Sequence, residues 1–206
     1  MRLRYVLYLA VLVLAAFLYS ACSGPEAKKK AHYERAMEYV RQDQLNEGIL
    51  ELRNAVQIDP TYADAHYQLG LAYLEKGDLE KAYKELRWAA DLDPANLDAQ
   101  LKTADNLAGS GKLKEGLAYV ETVLSRQPEH WEALRLLGEI ELRRGDMEAA
   151  AEAVASALAI KPDADELYVL QARILFRGKM EDKAEEALVK ALEINPENPD
   201  GWFAYG

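Results

Sequence analysis

Five prolines stand 34 residues apart along the chain: Pro60, Pro94, Pro128, Pro162 and Pro196. Each closes an amphipathic stretch, in turn AVQIDP, AADLDP, TVLSRQP, LAIKP and LEINP. Proline has no amide hydrogen to continue a helix and turns the residue before it away from helical angles. Each proline therefore marks a helix end. A period of this length means stacked small units, none of which can bury its apolar face alone.

With each proline set as position 32, the units start at Lys29, Ala63, Leu97, Trp131 and Asp165, and small residues fall into columns. Position 8 holds Ala36, Gly70, Ala104, Gly138 and Ala172. Position 20 holds Gly48, Ala82, Gly116, Ala150 and Ala184, and position 27 holds Ala55, Ala89, Val123, Ala157 and Ala191. Such columns let two helix backbones approach where larger side chains would hold them apart. Large apolar residues fill position 24 (Leu52, Leu86, Val120, Val154, Leu188) and most of position 11, where Glu141 is the exception. A break near position 15 reads Gly77-Asp78, Gly111-Lys112, Gly145-Asp146 and Gly178-Lys179, with Asp43 in the first unit. Glycine there ends a first helix, and Asp78 and Asp146 cap a second.

This pattern resembles the tetratricopeptide repeat family over residues 29–196; the second unit, AHYQLGLAY then GDLEKAYKELRWAADLDP, is the most similar. The resemblance implies an all-α solenoid: helix-turn-helix repeats stacked as a right-handed superhelix, with a concave groove lined mainly by the first helix of each pair. The expected organisation is a signal peptide at 1–21, a lipidated cysteine and polar tether at 22–30, and five repeats within 31–196. Those repeats are framed as 29–62, 63–96, 97–130, 131–164 and 165–198. Residues 199–206 read as the start of a sixth, truncated repeat. Thr103 stands where a large apolar residue is usual, and Ala108-Gly109-Ser110-Gly111 loosens a helix end. Leu107–Lys112 is therefore the expected soft joint.

The N-terminus has its own logic. Arg2 and Arg4 lead an uncharged run from Tyr5 to Tyr19, closed by Ser20 and Ala21, which is the three-part layout of a secretory signal. The run is short for a spanning helix, which needs about 20 apolar residues. Cys22, the single cysteine, follows directly, so no intramolecular disulfide and no paired-cysteine zinc site can form. Ser20-Ala21-Cys22 resembles the bacterial lipobox, with Tyr19 where Leu is usual. That resemblance implies lipidation at Cys22, and Ser23 implies outer-membrane sorting rather than retention at the inner membrane. The expected location is the cell envelope, facing the periplasm.

Charge and motifs narrow the chemistry. The chain carries 25 basic and 35 acidic residues, and residues 31–206 alone hold twenty basic against thirty-four acidic. Such a surface repels phosphate backbones, which argues against nucleic acid. There is no glycine-rich phosphate cradle, no HExxH and no CxxC. No catalytic residue, metal, cofactor or small-molecule substrate is expected. His32 and His66 share position 4 with Gln100, Leu134, Tyr168 and Trp202, which reads as a packing column. Asp64, Asp98, Glu132, Glu166 and Asp200 at position 2 suit the first turn of a helix by about 0.3–1 kcal/mol each.

By the family resemblance, positions 2, 5, 6, 9, 12 and 13 face the groove. Two patches follow: an apolar one on repeats 1–2 (Tyr33, Met37, Tyr67, Leu71, Leu74) and a mixed-charge one on repeats 4–5 (Arg135, Glu139, Arg143, Arg173, Arg177). The lysines and asparagines of the family's carboxylate clamp are absent from positions 5 and 9. The expected role is a protein-interaction scaffold, tethered to the membrane by lipid, that assists assembly of an envelope complex of the pilus-secretin or exopolysaccharide-export type. An adaptor for a cell-wall enzyme, or the N-terminal part of a larger protein with a downstream catalytic domain, are the alternatives.

Overall fold

The computed structural model describes residues 24–205. The signal sequence and Cys22 lie outside the described residues. Every regular element among the described residues is a helix. In chain order these are α1 (Pro25–Arg41), α2 (Leu45–Ile58), α3 (Ala63–Glu75), α4 (Leu79–Leu92), α5 (Leu97–Gly109) and α6 (Leu113–Arg126). They continue with α7 (Trp131–Arg144), α8 (Met147–Ile160), α9 (Asp165–Arg177), α10 (Glu181–Ile194) and α11 (Pro199–Tyr205). None of these is long and apolar enough to cross a membrane. Each second helix stops two residues before its proline, as the missing amide requires.

The chain divides into two compact units at Asp93–Pro94. The first holds the hairpins α1–α2 and α3–α4, with α2 packed on α3. The second holds α5–α6, α7–α8 and α9–α10, with α6 packed on α7, α8 on α9, and α11 against α9 and α10.

The columns are the cores. Position 27 is fully buried in all five repeats, and position 24 nearly so, at 0–1 % exposure. Burying one leucine or valine of position 24 contributes about 1.5–3 kcal/mol. Positions 8 and 20 meet across each hairpin. A Cβ built on Gly116 would stand 3.0 Å from the Ala104 carbonyl oxygen, and one on Gly138 3.3 Å from that of Ala150. In the first four hairpins each such pair holds one glycine and one alanine, whereas the fifth holds Ala172 and Ala184, both fully buried.

The turns follow the expected chemistry in part. Gly77, Gly111 and Gly145 have φ of 78°, 80° and 90°, and Asp43 takes the same left-handed region at 59°. Asp78 accepts from the Lys81 amide, and Asp146 accepts from the Ala149 amide at 3.0 Å. The fifth turn differs: the left-handed residue is Lys179 (φ 59°), while Gly178 sits at φ −78°. Met180 then occupies the N-cap place with no side-chain cap, forgoing about 1 kcal/mol.

Two further findings concern the ends of the expected repeats. The stretch read as a tether is helical from Pro25 onward, since proline is pre-organised for the first helical position and Glu26 favours the first turn. Lys29 fastens this turn to Glu26 at 2.8 Å and to Asp59 at 2.5 Å. At the other end, Asp165 accepts from both Asn195 (2.7 Å) and Asn198 (2.5 Å). Burial raises the Asp165 carboxyl, but these amide donors outweigh it and hold the group below its ordinary value.

Glu141, the exception at position 11, is buried and paired with Arg144 at 2.6 Å. Thr103 is buried too, and its hydroxyl has no hydrogen-bond partner among the described residues. The third repeat thus carries an uncompensated polar group in its core.

Candidate functional site: the first-helix groove

In the first unit, α1 and α3 present the apolar patch. Tyr33, Met37, Tyr67, Leu71 and Leu74 are all half-buried. Tyr33 and Leu74 pack partly onto the core around Leu52 and Leu69, so part of this patch holds the repeats together. Tyr33 also meets Tyr62, with ring centroids 5.2 Å apart, and the Lys29 ammonium lies 4.9 Å over the Tyr62 ring. Burial, aided by the nearby Asp64 carboxylate, pushes both phenols above their ordinary pKa.

In the second unit, a cavity of about 320 Å³ opens between α5 and α7. Its lining is Asp98, Leu101, Lys102 and Asp105 from α5, Glu132, Arg135 and Leu136 from α7, and His130 before α7. Seven of these eight occupy positions 2, 5, 6 and 9 of their repeats, so the groove columns converge on one concavity. Lys102 lies 3.8 Å from Asp98, and His130 Nδ1 lies 3.1 Å from Glu132 without a hydrogen bond. The guanidinium of Arg135 and the carboxylate of Asp105 have no ion-pair or hydrogen-bond partner among the described residues. A half-buried guanidinium with five free donors beside a free carboxylate can hold a polar chain from both sides.

The rest of the mixed-charge patch is used internally. Arg173 grips Glu139 through two bonds, 2.7 and 3.1 Å, which join α9 to α7. Arg177 donates to the Leu142 carbonyl at 2.9 Å, and Arg143 to the Ala108 carbonyl at 2.5 Å. Each of these two arginines adds a second donor to a carbonyl in the last turn of the preceding first helix, which already accepts from its own turn glycine, Gly145 for Leu142 and Gly111 for Ala108. Of the expected charged contacts, Arg135 alone lines the cavity, and its neighbours there come from repeat 3 instead of repeat 5. Leu101, Lys102, Asp105 and Leu136 stand at groove-facing positions but outside both expected patches, because which of them meet depends on how α5 packs beside α7.

The position-4 column has a hydrogen-bonding role beyond packing. Tyr168 donates to the Pro162 carbonyl at 3.0 Å and Trp202 to that of Pro196 at 2.7 Å. His66 Nε2 lies 3.0 Å from the Pro60 carbonyl, which can only accept, while Nδ1 lies 2.6 Å from Glu85. His32 Nδ1 likewise lies 2.6 Å from Glu51. Among the described residues no three histidine, cysteine or acidic side chains gather as metal ligands.

Helical hairpins stacked within each unit, on a 34-residue period, define a helical-repeat protein. Three family models agree on its kind: tetratricopeptide repeat models match residues 101–165 and, at two places, 63–96 and 165–198, and a TPR repeat model matches 36–77. The chain is a tetratricopeptide repeat protein. No curated protein matches it by sequence. Solved structures share the fold. MamA from Desulfovibrio magneticus RS-1 is 20% identical with a TM-score of 0.72, covering 84% of this chain and 97% of its own. YrrB, described as a TPR protein with an unusual peptide-binding site, is 20% identical with a TM-score of 0.72, over 88% and 98%. PilW, described as a widely conserved type IV pilus biogenesis factor, is 19% identical with a TM-score of 0.70, over 85% and 82%.

Proposed function

We propose that this chain is a non-catalytic scaffold that binds a protein segment in its first-helix groove. Lipid on Cys22 tethers it to the cell envelope, at the outer membrane and facing the periplasm, where it assists assembly of an envelope complex of the pilus-secretin or exopolysaccharide-export type. The observation that carries the binding role is the cavity between α5 and α7. There the groove columns supply an apolar floor (Leu101, Leu136), an unpaired guanidinium (Arg135) and an unpaired carboxylate (Asp105). The descriptions of YrrB and PilW fit this reading. The envelope tether rests on residues 1–23: two arginines, an uncharged run and Ser20-Ala21-Cys22-Ser23. One acyl chain holds a protein only marginally, so several chains on the cysteine make a durable anchor.

Two measurements test the two halves separately. Intact-mass analysis of the membrane fraction should find a processed chain beginning at Cys22 and carrying acyl groups. An unmodified, full-length chain there would refute the anchor. Photo-crosslinking residues placed at Leu101 and at Lys114, an exposed position on α6, should in cells give a discrete adduct at Leu101 alone, and Arg135→Glu should abolish it. Equal adducts at both positions would refute the groove.

A further inference from the structure

A second concavity lies away from the groove columns. Between α8 and α9 the structure leaves a cavity of about 260 Å³, lined by Met147, Ala151, Ile174, Leu175 and Met180, with Glu148 as its carboxylate. Its origin is one position. At position 21 the first three repeats carry Ile49, Tyr83 and Leu117, and Ile49 and Leu117 pack into their cores. The fourth repeat carries Ala151, and nothing else fills the space. A second exception enlarges the site. Met180 stands in the N-cap column where Asp78 and Asp146 cap their helices, and its side chain is 43 % exposed. Gly178 makes room for it, since a Cβ there would stand 3.1 Å from the Met180 methyl.

The surroundings are acidic. A more open concavity lined by Arg144, Gly145, Asp146, Met147 and Glu148 shares Met147 and Glu148 with the cavity. Glu181 and Asp182 follow Met180 in the first turn of α10. Of the two carboxylates that line these concavities, Asp146 and Glu148, neither is paired with Arg144, which is tied to Glu141. Flexible, polarisable methionines at an apolar opening adapt to varied guest side chains. A dry apolar cavity of about 150 Å³ takes up benzene, so this one has room for a phenylalanine or leucine side chain.

We propose that the α8–α9 cavity is a second docking site, taking one large apolar side chain from a protein segment in which lysine or arginine flanks that residue. Lysine or arginine next to the guest side chain meets Glu148 in the cavity and Asp146 in the concavity that adjoins it. The groove contact proposed above is a different surface, and either site can exist without the other.

The chain's methionines give a direct readout, because Met147 and Met180 line the cavity and Met37 lies on α1. The full chain, labelled with carbon-13 at its methionine methyls, is titrated with a capped pentapeptide of phenylalanine between two pairs of lysines. Saturable shifts at Met147 and Met180, with Met37 unmoved, are the expected result. Replacing the peptide's phenylalanine by alanine should weaken binding at least about tenfold. Ala151→Leu, which fills the cavity, should weaken it by a similar factor while keeping or raising the thermal midpoint. Met180→Asp, which restores the capping residue of the column, is the second variant and should do the same, read at Met147. The proposal is overturned if neither methyl shifts up to millimolar peptide, or if only Met37 does. It is overturned equally if both variants bind as tightly as the wild type, or if a glutamate-flanked peptide matches the lysine-flanked one.

Discussion

Replacing Gly70 with alanine sets two familiar effects against each other. In an exposed helix interior the change gains about 1 kcal/mol, because alanine loses less backbone entropy. At Gly70 the new Cβ would stand 2.7 Å from Leu86 Cγ, 2.9 Å from Cδ2 and 3.1 Å from the Leu86 amide nitrogen. Leu86 is fully buried, and a rotamer change cannot move its backbone nitrogen. Overpacking of this kind costs about 1–3 kcal/mol, so the net expectation is a loss of up to about 2 kcal/mol. Gly109→Ala is the internal control: no atom lies within 4 Å of its Cβ, so it should stabilise by up to about 1 kcal/mol. Urea unfolding followed by helical circular dichroism gives both values. A double-mutant cycle sharpens the test. Leu86→Ala alone should cost about 2–5 kcal/mol, and at least about 1 kcal/mol less when Gly70→Ala is already present. If Gly70→Ala stabilises the protein as Gly109→Ala does, the close approach of α3 and α4 is not the reason for glycine at position 8.

Four shorter tests probe other parts of the chain. Thr103→Val removes a buried hydroxyl without a partner and should raise stability by about 1 kcal/mol in the same assay. Lys179→Gly relieves a left-handed residue with a side chain and should stabilise by about 0.5–1 kcal/mol; a loss would show that the lysine itself matters. The Asp59 carboxyl is held at about 2, first by its bond from Lys29 and then by Thr61. Because this pKa is depressed, the stabilisation is present above the ordinary carboxylate value and fades as pH falls towards 2, so wild type and Asp59→Asn should converge in thermal midpoint on acidification. Amides of Leu107–Lys112 should exchange faster than those of the matching turn in repeat 2, in keeping with the weak core of repeat 3.

The fold was legible because its decisive residues recur. Alanine at position 27 or leucine at position 24 means little once, but the same types at five equal intervals define a buried seam, and the structure buries all of them. The groove was legible only as columns. Arg135 was named from its column, whereas its partners in the cavity depend on how α5 and α7 stand side by side. Arg143 and Arg177 read as groove charges because their acceptors are the backbone carbonyls of Ala108 and Leu142, and a carbonyl looks the same at every position of a sequence. The helical start at Pro25 was hidden for a related reason. A run of lysines reads as solvated linker unless the distant Asp59, which receives Lys29, is known to lie beside it. The α8–α9 cavity depends on an absence of side-chain volume at Ala151, which has meaning only against the neighbours that fill the same place elsewhere.

The arginine bonds between consecutive first helices have a consequence for how the second unit opens. Arg143 adds a donor at the end of α5 and Arg177 one at the end of α7, so each of these two first helices is reinforced by the repeat that follows it. In the language of nearest-neighbour chains, this coupling energy sits at the junctions and has a direction. Unfolding of α9 would remove the Arg177 bond from the end of α7 and the Glu139–Arg173 tie at once, while loss of α5 would free the Arg143 guanidinium and leave the end of α7 unchanged. Fraying from the C-terminal side of this unit should therefore spread further than fraying from its N-terminal side. The α5–α7 cavity lies at the end of the unit that such fraying reaches last.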